Sequence, residues 1–185
     1  MNCAALLLAA GAGSRFQGPS HKLRAMVRGR PVFSWALDAV VEAGFACTAV
    51  VTRDDLLDDL VPESVAVLRN PRWAEGMATS LQVGLAWAAI QGAEAVVVGL
   101  ADQPFLGPEP WRRVAAARQP LAVATYGGKR RNPVRLAAEV WPLLPKTGDE
   151  GARSVLAQHP TLVGEIPCPG NPGDIDTLED LRTWN

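Results

Sequence analysis

The sequence predicts an α/β fold: a single domain over residues 1–185 with a mostly parallel, doubly wound sheet. Three observations lead there. Short apolar runs alternate with stretches of helical periodicity, and no repeat, low-complexity tract or linker interrupts them. A chain of 185 residues is also one domain's worth of material. At that size it buries roughly 70% of its unfolded surface and needs no disulfide or metal staple. Right-handed crossovers between parallel strands then place the functional loops at the carboxyl ends of the strands.

The elements follow in order. Cys3–Leu8 reads as a buried strand that runs into the turn AAGAGSRFQG. Residues 31–43 read as a helix, with proline in the first turn, an apolar stripe of Phe33, Leu37, Val40 and Val41, and Gly44 as terminator. A second strand is predicted at 46–51, an acidic helical piece at 54–60, a third strand at 65–68, and a helix at 78–90 with Leu81, Leu85 and Ile90 inward. The run AVVVGL at 95–100 is the most strand-like of all and ends at Ala101-Asp102. A helix at 111–118 follows the proline-rich turn GPEP, and strands at 121–125 and 133–136 flank the basic turn GGKRRN. A helix is expected after Asp149, a strand at 162–166 and a short closing helix at 178–184.

Composition narrows the function. Hydrophobic residues at 48% with charged residues at 20% describe a globular chain rather than a disordered one. Lys+Arg 18 against Asp+Glu 19 gives a net charge of −1, which argues against a protein that coats nucleic acid or an anionic membrane. Cys3, Cys47 and Cys168 are scattered and lack CxxC spacing, so neither a disulfide framework nor a zinc site is expected, and a reducing compartment is. The opening CAALLLAA lacks a preceding Lys or Arg and continues into the glycine turn, so it reads as structure rather than as a secretory signal. No run reaches the ~18 apolar residues of a membrane span. The expected location is the cytoplasm, with no nucleic-acid or membrane partner.

Residues 8–18 read LAAGAGSRFQG, with Lys22 four residues later. Glycines directly after a first strand allow close backbone approach, and exposed N–H groups there suit a phosphate. Arg15 and Lys22 add positive charge where a triphosphate would lie. A P-loop needs GK[ST] at its end, which is missing. A dinucleotide fingerprint needs GxGxxG, but the third glycine arrives only at Gly18.

Asp102 follows its strand directly and would stand at the strand's carboxyl end, facing the crevice. A carboxylate opposite a phosphate loop is a natural ligand for Mg²⁺, which favours one or two carboxylates plus substrate phosphates. DIDT at 174–177 offers Asp174 and Asp176 on one side of an extended segment. TLED there also has the form of a capping box, which leaves Thr177 or Asp176 open as the N-cap of the last helix. The histidines, His21 and His159, show no pairing with Cys or Ser that suggests acyl chemistry.

The run from Leu8 to Lys22 resembles the signature loop of nucleotidyltransferases, LxxGxGxR followed by a spaced Lys. NPRWAEGMATSLQVGL (70–85), GLADQPF (99–105), GGKRRNPV (127–134), TGDEGAR (147–153) and DIDTLEDL (174–181) occur in the order and at roughly the intervals seen in the molybdenum cofactor cytidylyltransferases. The resemblance covers essentially the whole chain. It implies a nucleotide-diphospho-sugar-transferase-like fold and transfer of CMP from CTP to the phosphate of molybdenum-molybdopterin, with Mg²⁺ or Mn²⁺ as cofactor and an apo molybdenum hydroxylase as a further partner.

By the same resemblance Ala9, Ala10, Gly11 and Gly13 wrap the nucleotide by backbone, and Arg15 and Lys22 take the phosphates. Gly76 and Ser80 lie near the base, and Asp102 and Asp176 hold the metal; Arg15, Lys22 and Asp102 are the implied catalytic set. Arg130 and Arg153 are implied contacts for an anionic acceptor, with Asp149 capping the helix that follows it. Leu8-Ala9-Ala10-Gly11 is of the cytidine-using kind, the Ala10 methyl narrowing the base pocket against a purine. Met77 and Leu81 read as core. Two positions depart from the pattern: Arg131 stands where the family commonly has Gly, and His21 where relatives have Pro or another small or polar residue. The alternatives are a different base or acceptor (GTP with molybdopterin, CTP with a sugar or alditol phosphate) and a non-catalytic maturation factor that carries the cofactor.

Overall fold

In the computed structural model, which describes residues 2–184, seven strands form one sheet with helices on both faces. The elements are β1 (Cys3–Leu8), β2 (Met26–Val27), β3 (Arg30–Pro31), α1 (Val32–Ala43), β4 (Cys47–Thr52), β5 (Ala66–Arg69), α2 (Met77–Ile90), β6 (Ala95–Leu100), α3 (Pro108–Ala115), β7 (Leu121–Tyr126), β8 (Lys129–Ala137), α4 (Arg153–Gln158), β9 (Val163–Pro167) and α5 (Leu178–Trp184). The strand order is β5-β4-β1-β6-β8-β7-β9, and β2 pairs with β3 in a separate two-stranded ribbon. β8 alone in the large sheet runs antiparallel to its neighbours. From β1 the chain winds outward through β4 and β5, then crosses to β6 on the other side. β1 and β6 therefore flank the topological switch point, where a crevice opens beyond the strand ends.

Alternation along β1 shows why both faces need cover. Ala5 and Leu7 join a core with α1, α3 and α5, whereas Ala4, Leu6 and Leu8 join a second core with α2 and α4. Burial on both sides is why this strand reads as an unbroken apolar run rather than an alternating one. Trp111 is the largest fully buried side chain and anchors α3 in the first core.

Several expected elements shift. The helix anticipated at 111–118 begins at Pro108 and ends at Ala115, because Pro108 occupies the first turn, where a missing N–H costs nothing. Residues 54–60 contain only a 3₁₀ turn at Asp58–Leu60. The acidic pairs Asp54-Asp55 and Asp58-Asp59 in such a segment are better solvated than packed. Val41 and Ile90 are exposed rather than inward, Ile90 at 82%, because Val40 and Ala88 of the same last turns take the packed face and these two side chains point off it. The basic turn is a two-residue hairpin of Gly127 and Gly128, and Lys129–Asn132 already belong to β8. No helix among the described residues is long and apolar enough to cross a membrane.

Candidate active site

The carboxyl ends of β1 and β6 open into a cleft of about 530 Å³, within the usual range for small-ligand sites. One wall is the glycine loop, residues 8–15; another is the turn from Trp73 to Ser80; the floor is Lys22, Asp102, Asp174 and Asp176. Of the expected nucleotide-binding positions, Ala9, Ala10, Gly11, Gly13, Arg15, Lys22, Gly76 and Ser80 all line this cleft, as do the expected metal positions Asp102 and Asp176.

The glycine loop is anchored at both ends. The N–H of Ala9 donates to the Val51 carbonyl at 2.8 Å, and the Ala101 N–H donates to the Leu8 carbonyl at 3.0 Å, tying the loop to β4 and to the end of β6. Phe16 is buried in the first core. Gly13 has φ +64°, and a Cβ there would sit 3.1 Å from His21 Nε2 and 3.3 Å from Lys22 Cγ, so the loop lies directly on the His21-Lys22 pair.

Below it, Lys22 Nζ donates to Asp102 Oδ2 at 2.6 Å and to Asp176 Oδ1 at 2.9 Å. Residues 80 and 154 positions from Lys22 are thereby gathered around one ammonium. Burial by itself would lower the Lys22 pKa, but the two carboxylates outweigh it and hold the group above its ordinary value. Arg15, 75% exposed, pairs with the other oxygen of Asp176 at 2.9 Å and is free to swing toward a ligand. Asp102 Oδ1 is buried without a hydrogen-bond partner.

That orphaned oxygen, beside a second carboxylate close enough to share one ammonium, fits a divalent cation. No group of three acidic, His or Cys ligands occurs among the described residues. Mg²⁺ favours one or two carboxylates with other oxygens, such as phosphate oxygens, completing its shell, and Asp102 and Asp176 match that kind of donor set.

Asp176 is available because Thr177, not Asp176, caps α5. The N–H of Asp180 donates to Thr177 Oγ1, while Asp180 Oδ2 accepts from the N–H groups of Thr177 and Asp176, a reciprocal capping box. Asp174, also on the floor, is engaged by Gln103, accepting from its Nε2 at 2.7 Å. Its withdrawal from bulk water and the nearby Asp102 charge raise its pKa.

The opposite wall contains residues without a prior role. Asn70, fully buried, donates from Nδ2 to the hydroxyls of Thr79 and Ser80 at 2.9 Å each and accepts from the Arg72 N–H. Ser80 Oγ is thus fixed as an acceptor toward Asn70, leaving its proton for the cleft. The signal was the Asn-Pro turn directly after β5, but nothing local says which way the amide points. Trp73 lines the cleft with the Arg53 guanidinium over its ring.

Two expectations on this wall are corrected. Asp149 does not cap α4, whose N-cap is Ala152 without a side-chain bond; its Oδ1 accepts from the Met77 N–H at 3.3 Å, at the start of α2. Met77 is 39% exposed and lines the cleft instead of the core, whereas Leu81 is buried as read. The cause is the same for both: the 147–151 loop folds across the α2 N-terminus, with Gly148 N–H donating to the Glu75 carbonyl and its own carbonyl accepting from Ala78. Gly76, at φ +105°, has room for no Cβ against Gly148.

Arg130 and Arg153 do not line the cleft. Arg130 stands on β8 and donates to Glu165 at 2.8 Å; Arg153 is exposed at the start of α4. Because β8 is reversed, its first residues reach the same edge of the sheet as Asp102, and Arg130 and Arg131 stand beyond the floor of the cleft on the side away from the glycine loop. Burial pushes the Cys3 thiol up to about 11 and raises Cys47 and Cys168 as well, disfavouring the thiolate form.

A family model described as a MobA-like NTP transferase domain matches residues 5–162. The chain is similar to nicotine blue oxidoreductase of Paenarthrobacter nicotinovorans, at 30% identity over 95% of this chain and 93% of that one. It is also similar to molybdenum cofactor guanylyltransferase of Cereibacter sphaeroides, at 31% identity over 75% and 68% of the two chains. In fold it matches Rv0371c of Mycobacterium tuberculosis H37Rv, with a TM-score of 0.84 at 24% identity over 98% and 96% of the chains. A manganese complex of that protein superposes with a TM-score of 0.80 at 24% identity, over 100% of this chain and 98% of that one.

Proposed function

The chain belongs to the MobA-like NTP transferase family, and from that premise we propose that this nucleotidyltransferase moves CMP from CTP onto the phosphate of molybdenum-molybdopterin. The observation that carries the reading is the single ammonium of Lys22 holding Asp102 and Asp176 together directly under the glycine loop. The buried methyl of Ala10, on the wall where a base would lie, supports the smaller pyrimidine.

In this reading the loop's N–H groups and Arg15 take the triphosphate, and Arg15 leaves Asp176 to do so. Lys22 stays on the floor and meets the charge that builds on the bridging oxygen. An acceptor phosphate oxygen attacks the α-phosphorus in line; the new P–O bond forms as the bond to the β-phosphate oxygen breaks, and its electron pair leaves with pyrophosphate. No proton must move, so no general base is needed. Asp102 and Asp176 would hold Mg²⁺ or Mn²⁺, which supplies charge neutralisation at the α-phosphate. Arg130 on β8 and Arg153, exposed at the start of α4, would meet the anionic acceptor. The manganese complex of the fold relative and the molybdenum cofactor transferase among the relatives agree with this scheme. Delivery of the product to an apo molybdenum hydroxylase in the cytoplasm completes the proposal.

The guanylyltransferase among the relatives favours one second reading, GTP in place of CTP with the same acceptor. Thermal shifts with CTP, GTP, ATP and UTP, each with and without Mg²⁺, decide the base, since a ligand at 100 times its dissociation constant stabilises by about 2.7 kcal/mol. Pyrophosphate release with molybdopterin, and with an alditol phosphate as control, decides the acceptor. A GTP-specific shift would overturn the base, and binding without turnover on any acceptor would favour the carrier role.

A further inference from the structure

His21 sits between the glycine loop and Lys22, and its ring is used at both nitrogens. The Leu23 N–H donates to Nδ1 at 3.3 Å, so Nδ1 carries no proton. The ring proton is therefore on Nε2, which lies 3.2 Å from the Gly11 carbonyl and donates to it. Gly13 closes over the same nitrogen, its missing Cβ leaving only 3.1 Å of room. One side chain thus fastens the loop at Gly11 while its other nitrogen orders the 3₁₀ turn that carries Lys22. Burial lowers the pKa of the ring, with Arg53 and Lys22 adding to the effect, and keeps the neutral tautomer that this arrangement needs.

We propose that His21 is a positioning residue for the nucleotide: its Nε2–H holds the Gly11 carbonyl so that the loop's N–H groups face the cleft above Lys22. The proposal rests on the glycine loop being the triphosphate site. It concerns a residue that does not line the cleft and whose hydrogen bonds go to Gly11 and Leu23 rather than to the carboxylates.

The bond to Gly11 and the bond from Leu23 can be separated by substitution. His21→Asn puts an acceptor near the place of Nδ1 but does not reach Gly11. His21→Gln puts an amide N–H near the place of Nε2 and reaches Gly11. Amide hydrogen exchange over residues 9–17 is measured in the free protein, together with CTP affinity and the kcat/KM split. His21→Ala and His21→Asn should raise loop exchange and weaken CTP binding about fivefold, the effect of one hydrogen bond, with kcat unchanged. His21→Gln should return both to within about twofold of the wild type. Rescue by Asn and not by Gln would mean that His21 serves only the 3₁₀ turn, and wild-type exchange in all three variants would remove the clamp; either result overturns the proposal. If the wild type binds no nucleotide while loop exchange still follows the Ala, Asn and Gln pattern, the clamp stands and only the triphosphate reading falls.

Discussion

The two sides of the cleft are built differently. On the β1–β6 side the working groups are main chain and short side chains, closely packed. The glycine loop is pinned to β4 and β6 by backbone bonds, and Lys22 is sunk between two carboxylates with its side chain 10% exposed. On the β8 side the candidate groups are long basic side chains in water, with Arg130 and its partner Glu165 43% and 49% exposed. A preorganised wall holds a fixed ligand part at little entropic cost, whereas flexible arginines trade affinity for tolerance of shape. On the proposed reading the nucleotide would be the precisely held partner, and the acceptor would be met by charge.

The largest expected effect falls on the floor shared by both sides. Asp102→Asn should cut pyrophosphate release about a thousandfold, on the scale of removing a preorganised charge-stabilising group, while far-ultraviolet circular dichroism stays native. Turnover within a few-fold of the wild type would remove Asp102 from the mechanism. Next comes Gly76→Ala, which places a Cβ in a strained backbone region and against Gly148. It should cost roughly 2–4 kcal/mol in denaturant unfolding and weaken CTP binding by displacing the 147–151 loop. An unchanged midpoint would show that this wall is as adaptable as the other.

Arg130→Ala sharpens the comparison from the acceptor side. Losing the exposed pair with Glu165 should change stability by less than about 1 kcal/mol, yet the acceptor KM should rise about tenfold with the CTP KM unmoved. Steady-state kinetics with each substrate varied in turn would show the split, and a rise in the CTP KM instead would put the arginine on the nucleotide side.

The smallest effect is in pH. Because the folded protein lowers the His21 pKa, the unfolded chain binds more protons as pH falls below about 6.5, and stability declines over that interval and levels off below the folded pKa. Chemical denaturation across pH 5–8 should show this slope reduced in His21→Gln.

The glycine-loop side was the more legible in sequence because its features are local. LAAGAGSR is contiguous, and AVVVGLAD announces its own strand end. The β8 side was harder to read. GGKRRN looked like a basic turn, and only strand pairing shows Lys129–Asn132 extended along β8 and reaching the edge where Asp102 ends β6. Sequence alone points Asp149 to the helix after it, since capping residues ordinarily act on the chain that follows them. Its real partner, Met77, is 72 residues earlier, brought near by the packing of the 147–151 loop. Asn70 carries no local signal for a related reason: a buried amide has no periodicity, and its partners Thr79 and Ser80 lie across a turn.

The sequence by itself determined the strand and helix alternation, the sheet faces and the residue types at the phosphate loop, because these depend on short-range periodicity and backbone sterics. Tertiary structure alone decided that Lys22 stands between Asp102 and Asp176, that Thr177 caps α5 and so leaves Asp176 to the cleft, and that His21 fastens Gly11. Hydrogen bonds and charge pairs act over about 3 Å and are blind to separation along the chain, so their partners are fixed only when the sheet order brings distant strand ends together.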